Sequence, residues 1–190
     1  MPMPTTVPAR ELVTIADSTI RIPDQDCLIH LQFRRFAGCP ICNLHLRSFA
    51  VRHAEILAAD IREVVVFHSS AAELRKYEGD LPFDLIADPT RTLYREFGIE
   101  AEPRALLDPR AWSAIIRGVT TATMAVLRKE KPAPPAEPEG GRLGLPGDFL
   151  IAPDGRVIAS KLGAHADDQW SVDELLAHVP ARDKSGSGHQ

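Results

Sequence analysis

Cys27-Leu28-Ile29-His30-Leu31-Gln32-Phe33, followed by Arg34-Arg35-Phe36-Ala37-Gly38 and then Cys39-Pro40-Ile41-Cys42, is the stretch that decides the fold of this chain. Residues 27–33 read as an apolar strand, and the next five residues bridge it to a C-x-x-C. Behind Cys42, the residues of one face recur at Leu46, Phe49, Ala50, His53, Ile56 and Leu57, a spacing that predicts a helix from Pro40 to Ala59. The two cysteines therefore fall where a strand runs into a helix. There, unpaired backbone N–H groups and the positive end of the helix dipole favour thiolate over thiol, and the thiolate is the reactive form. Two cysteines three positions apart on that turn can close a small disulfide and reopen it. The expected chemistry is redox.

Working outward, Glu11 to Ile15 and Ser18 to Ile22 alternate apolar and polar residues as a short hairpin does. Arg62-Glu63-Val64-Val65-Val66-Phe67-His68 is a β-branched run expected to be a buried parallel strand. Ser69 or Ser70 can cap a helix from Ala71 to Tyr77. Phe83 to Ala87 reads as a further strand, and Asp88-Pro89 as the opening of a helix through Leu93, Tyr94 and Phe97 that stops at Gly98. Asp148–Ala152 and Arg156–Lys161 flank the turn Pro153-Asp154-Gly155 as a closing hairpin. A last helix is expected from Asp167 to Val179. One domain, residues 9–182, accounts for these elements, with residues 183–190 as a disordered Ser/Gly-rich tail. Residues 102–145 interrupt the rhythm as an insertion. Asp108-Pro109 would start its helix, which carries Trp112, Ile115, Ile116, Val119, Met124 and Leu127, and a proline-rich return follows from Lys131 to Gly141. So much apolar surface should be buried against the sheet, the C-x-x-C helix or another subunit, close to the redox turn.

The 190 residues are 44% hydrophobic, enough for a real core, and a net charge of −4 with pI near 6.0 argues against nucleic-acid binding. Three cysteines are too few for a disulfide-scaffolded secreted protein. Neither a signal-peptide pattern nor a membrane-length apolar run is present in the sequence, so a reducing cytoplasm is expected. There a C-x-x-C is more often catalytic or metal-binding than structural. Zinc would need four ligands. Cys39, Cys42 and His45 lack a second C-x-x-C or H-x-x-x-H, so no metal is expected. Haem attachment is excluded by Asn43 in the histidine position.

The order β-α-β-α, a closing hairpin and a terminal helix, with C-x-x-C after the central strand, resembles the thioredoxin fold. Residues 64–98, with Leu81-Pro82-Phe83-Asp84-Leu85-Ile86-Ala87-Asp88-Pro89, and the hairpin Phe149 to Val157 resemble the peroxiredoxin-like AhpC/TSA family. The resemblance implies an α/β thioredoxin-like fold, a central mixed sheet flanked by helices. It also implies an oxidoreductase without a dissociable cofactor. Laying the family's P-x-x-x-T-x-x-C on Cys42 puts Arg35 at the proline and Cys39 at the threonine. The family's arginine before the closing hairpin is replaced by Leu145-Pro146-Gly147-Asp148. A proline there resembles the thioredoxin pattern, in which a cis proline lies against the disulfide, so a cis Leu145–Pro146 bond is expected. These departures favour disulfide exchange over peroxide reduction.

The candidate catalytic residues are thus Cys39, as the more exposed attacking thiol of lowered pKa, and Cys42, as the resolving thiol. Pro40, Ile41 and Pro146 are the candidate substrate-binding residues. The expected partners are a protein or small-molecule disulfide, or a hydroperoxide, together with a cellular thiol reductant. Nucleic acid and membrane are not expected; a homodimer is compatible with the insertion. A thiol peroxidase and a non-catalytic binding module are the competing readings. Arg34 and Arg35 either face the thiols or are solvated, and the pattern does not separate the two. Cys27 reads as a buried structural thiol and His68 as a histidine at the core edge.

Overall fold

The computed structural model describes residues 3–99, 112–128, 132–139, 141 and 144–180. A hairpin of β1 (Arg10–Val13) and β2 (Thr19–Ile22) precedes β3 (Leu28–Arg34). The helices α1 (Pro40–Val51) and α2 (His53–Ala58) lead into β4 (Ile61–Phe67). There follow α3 (Ala71–Glu78), β5 (Asp84–Ala87), α4 (Thr92–Glu96), α5 (Trp112–Leu127), β6 (Gly147–Ile151), β7 (Val157–Leu162) and α6 (Val172–Ala177). The main sheet has the order β5-β4-β3-β6-β7, with β3, β4 and β5 parallel and β6 and β7 antiparallel. Among the described residues no helix is long and apolar enough to cross a membrane.

Alternation along the strands divides the core. Ile29, Leu31 and Phe33 of β3 join Val64, Val66, Phe149 and Ile151 on one face, packed against Tyr94 and Phe97 beside α4. On the opposite face, under α1, Leu46 meets Val65 and Phe67, while Phe49 meets Leu150, Trp170 and Leu175. That second face also holds buried His30, Gln32 and Arg34 from the central strand, with Glu63 and Asp148 from its two neighbours. A strand that reads as apolar carries three polar side chains into the interior.

Several element bounds differ from the sequence expectation. The helix expected from Pro40 to Ala59 breaks at Arg52, whose backbone leaves helical geometry (φ −103°, ψ 17°) while its side chain pairs with Glu55 and Asp173. The helix after Asp88-Pro89 begins three residues late because Arg91 takes a left-handed conformation (φ 55°). The Asp88 carboxylate still caps it, accepting from the N–H groups of Thr92 (2.9 Å) and Leu93 (2.8 Å). The last helix is shorter than expected. It starts at a capping box between Ser171 and Glu174, because upstream Asp168 is engaged by the Ala164 N–H and Lys161. Asp108, Pro109 and residues 183–190 lie outside the described residues.

Candidate active site

From the end of β3, Arg35-Phe36-Ala37-Gly38 crosses to α1 held by its backbone. The Ala37 N–H donates to Ser69 Oγ (2.9 Å) and the Gly38 N–H to Glu78 Oε1 (3.0 Å). Gly38 has φ +76°, and a Cβ there would lie 2.9 Å from Tyr77 Cδ1, so glycine is required twice over. Cys39 is then the N-cap of α1, its sulfur accepting from the Cys42 N–H at 3.4 Å, and Pro40 occupies the first helical position. The Arg35 guanidinium donates to Cys39 Sγ at 2.9 Å.

Both arginines left open by the sequence point inward. Arg35 is buried beside the cysteines. Arg34 is fully buried on the α1 face, where it pairs with Asp148 (2.6 Å) and meets His45 Nε2 at 3.1 Å. Behind Asp148 the ladder continues through His30, 3.3 Å from Asp148 and 2.9 Å from Glu63, with Gln32 donating to Glu63. Burial opposes the charge on His30, but Glu63 and Asp148 outweigh it and lift its pKa to about 9. Burial likewise opposes ionisation of Asp148. Arg34 and His30 overturn that and hold it below the usual carboxylate range.

The expectation of an exposed Cys39 with a lowered pKa is not met. Cys39 is 0% and Cys42 3% exposed, and both pack with Phe36, Ile41 and Ala166. Burial and the hydrogen bond to Cys42 push the Cys39 thiol well above its ordinary pKa. Cys42 goes the other way. Burial resists its ionisation, yet the Cys39 hydrogen bond and the Arg35 charge bring it down to about 5. No disulfide joins the three cysteines in this structure, and half-buried Cys27 precedes β3 at the far end of that strand, about 20 Å from the site at the rise per residue of a strand. His68, at the end of β4, is held neutral by burial and Arg91, with a pKa of about 4.

Pro40 and Ile41 form the first turn of α1, Pro40 half-buried and Ile41 buried. Pro146 is buried where the chain enters β6, its carbonyl accepting from the Gly163 N–H (2.9 Å). The Leu145–Pro146 bond is trans, and the cis bond among the described residues is Ile22–Pro23. Pro146 directly precedes β6, whose first residue Gly147 pairs with Leu162. Among the described residues no group of His, Cys, Asp or Glu is arranged to hold a metal. His45 faces the cationic Arg34, an environment that opposes a metal ion.

Helix α5 of the insertion lies across this turn. A Cβ at Gly118 would be 3.0 Å from the Pro40 carbonyl carbon and 3.2 Å from the Ile41 nitrogen, so two backbones meet here. The helix buries Gly118 and, contrary to expectation, exposes several large apolar residues: Trp112 is 58%, Ile116 62% and Leu127 73% exposed. Between α5 and the proline-rich return runs an apolar groove of about 340 Å³ reaching Phe36 and Pro40.

The family described as AhpC/TSA antioxidant enzyme matches residues 48–165, more than half of the sequence. The chain belongs to the AhpC/TSA family. The match starts after Cys42, so membership rests on the scaffold and not on the cysteine turn. Peroxidoxin BcpB from Mycobacterium tuberculosis shares 18% identity and a TM-score of 0.62, over 93% of this chain and 96% of that one. Peroxiredoxin Q from Xanthomonas campestris shares 15% identity over 90% and 89%, with a TM-score of 0.60. A thiol:disulfide interchange protein DsbE from Chlorobium tepidum shares 15% over 95% and 99%, with a TM-score of 0.58. At these identities the likeness shows the thioredoxin-like fold, with its mixed sheet flanked by helices. No curated protein sequence matches.

Of the site's buried polar residues, the sequence reading missed Glu78, His30, Gln32, Glu63 and Asp148. The strand residues had a signal, since His30, Gln32 and Arg34 recur with period two and share a face. Glu78 had none, because a glutamate at the end of an amphipathic helix reads as solvated.

Proposed function

We propose that this AhpC/TSA protein is a thiol peroxidase in which Cys42 is the attacking thiolate and Cys39 the resolving thiol. The observation that carries the reading is the buried Arg35 guanidinium at the two-cysteine turn, which lies 2.9 Å from Cys39 Sγ and whose charge also favours the Cys42 thiolate. It supplies from the β3–α1 crossing the cation missing before the closing hairpin. The trans Leu145–Pro146 bond withdraws the thioredoxin-like argument for disulfide exchange. Burial of both sulfurs also suits a small hydroperoxide better than a bulky protein disulfide.

In this mechanism the Cys42 thiolate attacks the terminal oxygen of a hydroperoxide and breaks the O–O bond. Cys42 becomes a sulfenic acid, and the departing alkoxide or hydroxide takes a proton from water. The Cys39 thiol then attacks the sulfenic sulfur, forming the Cys39–Cys42 disulfide and releasing water. Two equivalents of a cellular thiol return the disulfide to the dithiol. Arg35 stabilises the thiolate before attack, and the electrons reside in the sulfurs without a bound cofactor. A cytoplasmic setting supplies the reductant.

Cys39→Ser should retain peroxide-dependent sulfenic acid at Cys42, trapped by a dimedone probe, while Cys42→Ser should lose peroxide consumption. Sulfenic acid on Cys39 with Cys42 unmodified would reverse the roles. A C-x-x-C on the first turn of a helix also favours thiol–disulfide exchange as a second reading. Turnover of insulin-type disulfides without peroxide turnover would select it. Partner binding that survives loss of both cysteines would instead select a non-catalytic module.

A further inference from the structure

Helix α3 ends at Glu78, whose carboxyl group is completely buried beside the redox turn. One oxygen accepts from the Gly38 N–H and the other from Asn43 Nδ2, each at 3.0 Å. Gly38 is the residue before Cys39, and Asn43 is the residue after Cys42. A single side chain from another helix therefore bolts the segment at both ends, one bond to backbone and one to side chain. The neighbouring Tyr77 packs on Gly38 from the same helix. Burying a carboxyl group costs free energy unless its oxygens are hydrogen-bonded, so α3 is committed to this contact.

We propose that Glu78 is a positioning residue that sets how readily Cys39 and Cys42 close into their disulfide. This rests on the dithiol reading above, and it adds the residue that tunes the couple. Ring closure between two cysteines depends on how far their approach is prepaid by the surrounding backbone. Fixing Gly38 fixes the entry to Cys39. Holding Asn43 fixes the rotation of the first turn of α1 about the Cys42 position. Releasing both lets the turn sample geometries in which the sulfurs do not meet.

The test is equilibration of the full-length protein with oxidised and reduced glutathione. In it the dithiol gives two electrons and two protons to oxidised glutathione, yielding the protein disulfide and two reduced glutathiones. Glu78→Ala should lower the equilibrium constant at least tenfold, a shift of about 30 mV toward a more oxidising couple. Asn43→Ala should shift it in the same direction by less. Glu78→Gln should restore the couple to within about threefold of wild type, because the Asn43 amide can flip to pair with a glutamine amide. If Glu78→Ala does not fold, the Asn43 variant decides the matter, since it removes one of the two bolts at a side chain that is only half-buried. A lower melting temperature with an unmoved equilibrium constant in Glu78→Ala, or in Asn43→Ala should that be the deciding variant, would overturn the proposal. A wild-type protein that forms no Cys39–Cys42 disulfide would overturn the dithiol reading itself, and this inference with it.

Discussion

Replacing Arg35 by glutamine removes the cation from the cysteine turn while keeping a planar hydrogen-bonding side chain. Two unit charges ~4 Å apart at an effective dielectric of ~20 interact by about 4 kcal/mol, which at about 1.4 kcal/mol per pH unit is roughly three pH units. Arg35 is buried and donates to Cys39 Sγ at 2.9 Å, so solvent screens little of this. The Cys42 thiolate titrates at about 5 in the native protein. In Arg35→Gln the Cys39 hydrogen bond, the larger cause of the depression, remains, and the loss of the Arg35 charge should carry the midpoint up toward about 8, the ordinary thiol range. At neutral pH the thiolate fraction then falls by about tenfold, and second-order peroxide consumption falls at least as far. Iodoacetamide alkylation against pH, followed by peptide mapping, reads the midpoint at each cysteine. Arg35→Lys should restore most of the depression. A midpoint for Cys42 that stays below about 6 in Arg35→Gln would refute the assignment of Arg35 as the stabilising charge.

Two further outcomes follow from the geometry. His30 is raised from 6.5 to about 9 in the fold, so its ion pairing stabilises the protein fully below pH 6.5 and is lost as pH rises through 9. Urea denaturation should show stability falling by about 3 kcal/mol across that window, and His30→Gln should flatten the dependence. Gly118→Val should push α5 off Pro40 and Ile41, where the added Cβ would stand 3.0 Å from the Pro40 carbonyl carbon. It should cost about 1–3 kcal/mol of stability and speed alkylation of the cysteines severalfold; unchanged alkylation would show that α5 does not shield them.

The strand-to-helix junction was legible because hydrophobic period and helix N-terminal chemistry agree at one place, Cys39-Pro40. The parallel strands were legible for a similar reason, since the β-branched run around Val64 admits one strong reading. Helix ends were less so. The break at Arg52 depends on Glu55 and Asp173, and the latter is 121 residues distant along the chain. The exposure of α5 was misread because apolar residues on a helix imply a partner only if that face is the one presented to the domain. Here a glycine is presented instead, and it allows closer backbone approach than any larger residue would. Arg35 lies on a non-repeating turn, where no periodicity indicates side-chain direction.

The polar interior of β3 follows from the site's electrostatics. A buried thiolate is costly unless a cation stands beside it, and a buried cation needs an anion in turn. Arg35 meets the first requirement at the cysteines. Arg34, whose charge also lowers Cys42, is balanced by Asp148 at 2.6 Å. Asp148 is shared with His30, which Glu63 holds protonated from the far side. Each charge makes the next one tolerable in a low-dielectric interior, and the series leads from the middle of the sheet toward Cys42. Replacing His30 and Glu63 by apolar residues of similar size should therefore leave a folded protein whose Cys42 is less acidic. The reason is that Asp148, deprived of His30, would draw Arg34 more fully to itself. Parallel alkylation profiles for wild type and the double variant would refute this coupling, and an upward displacement of the Cys42 midpoint would establish it.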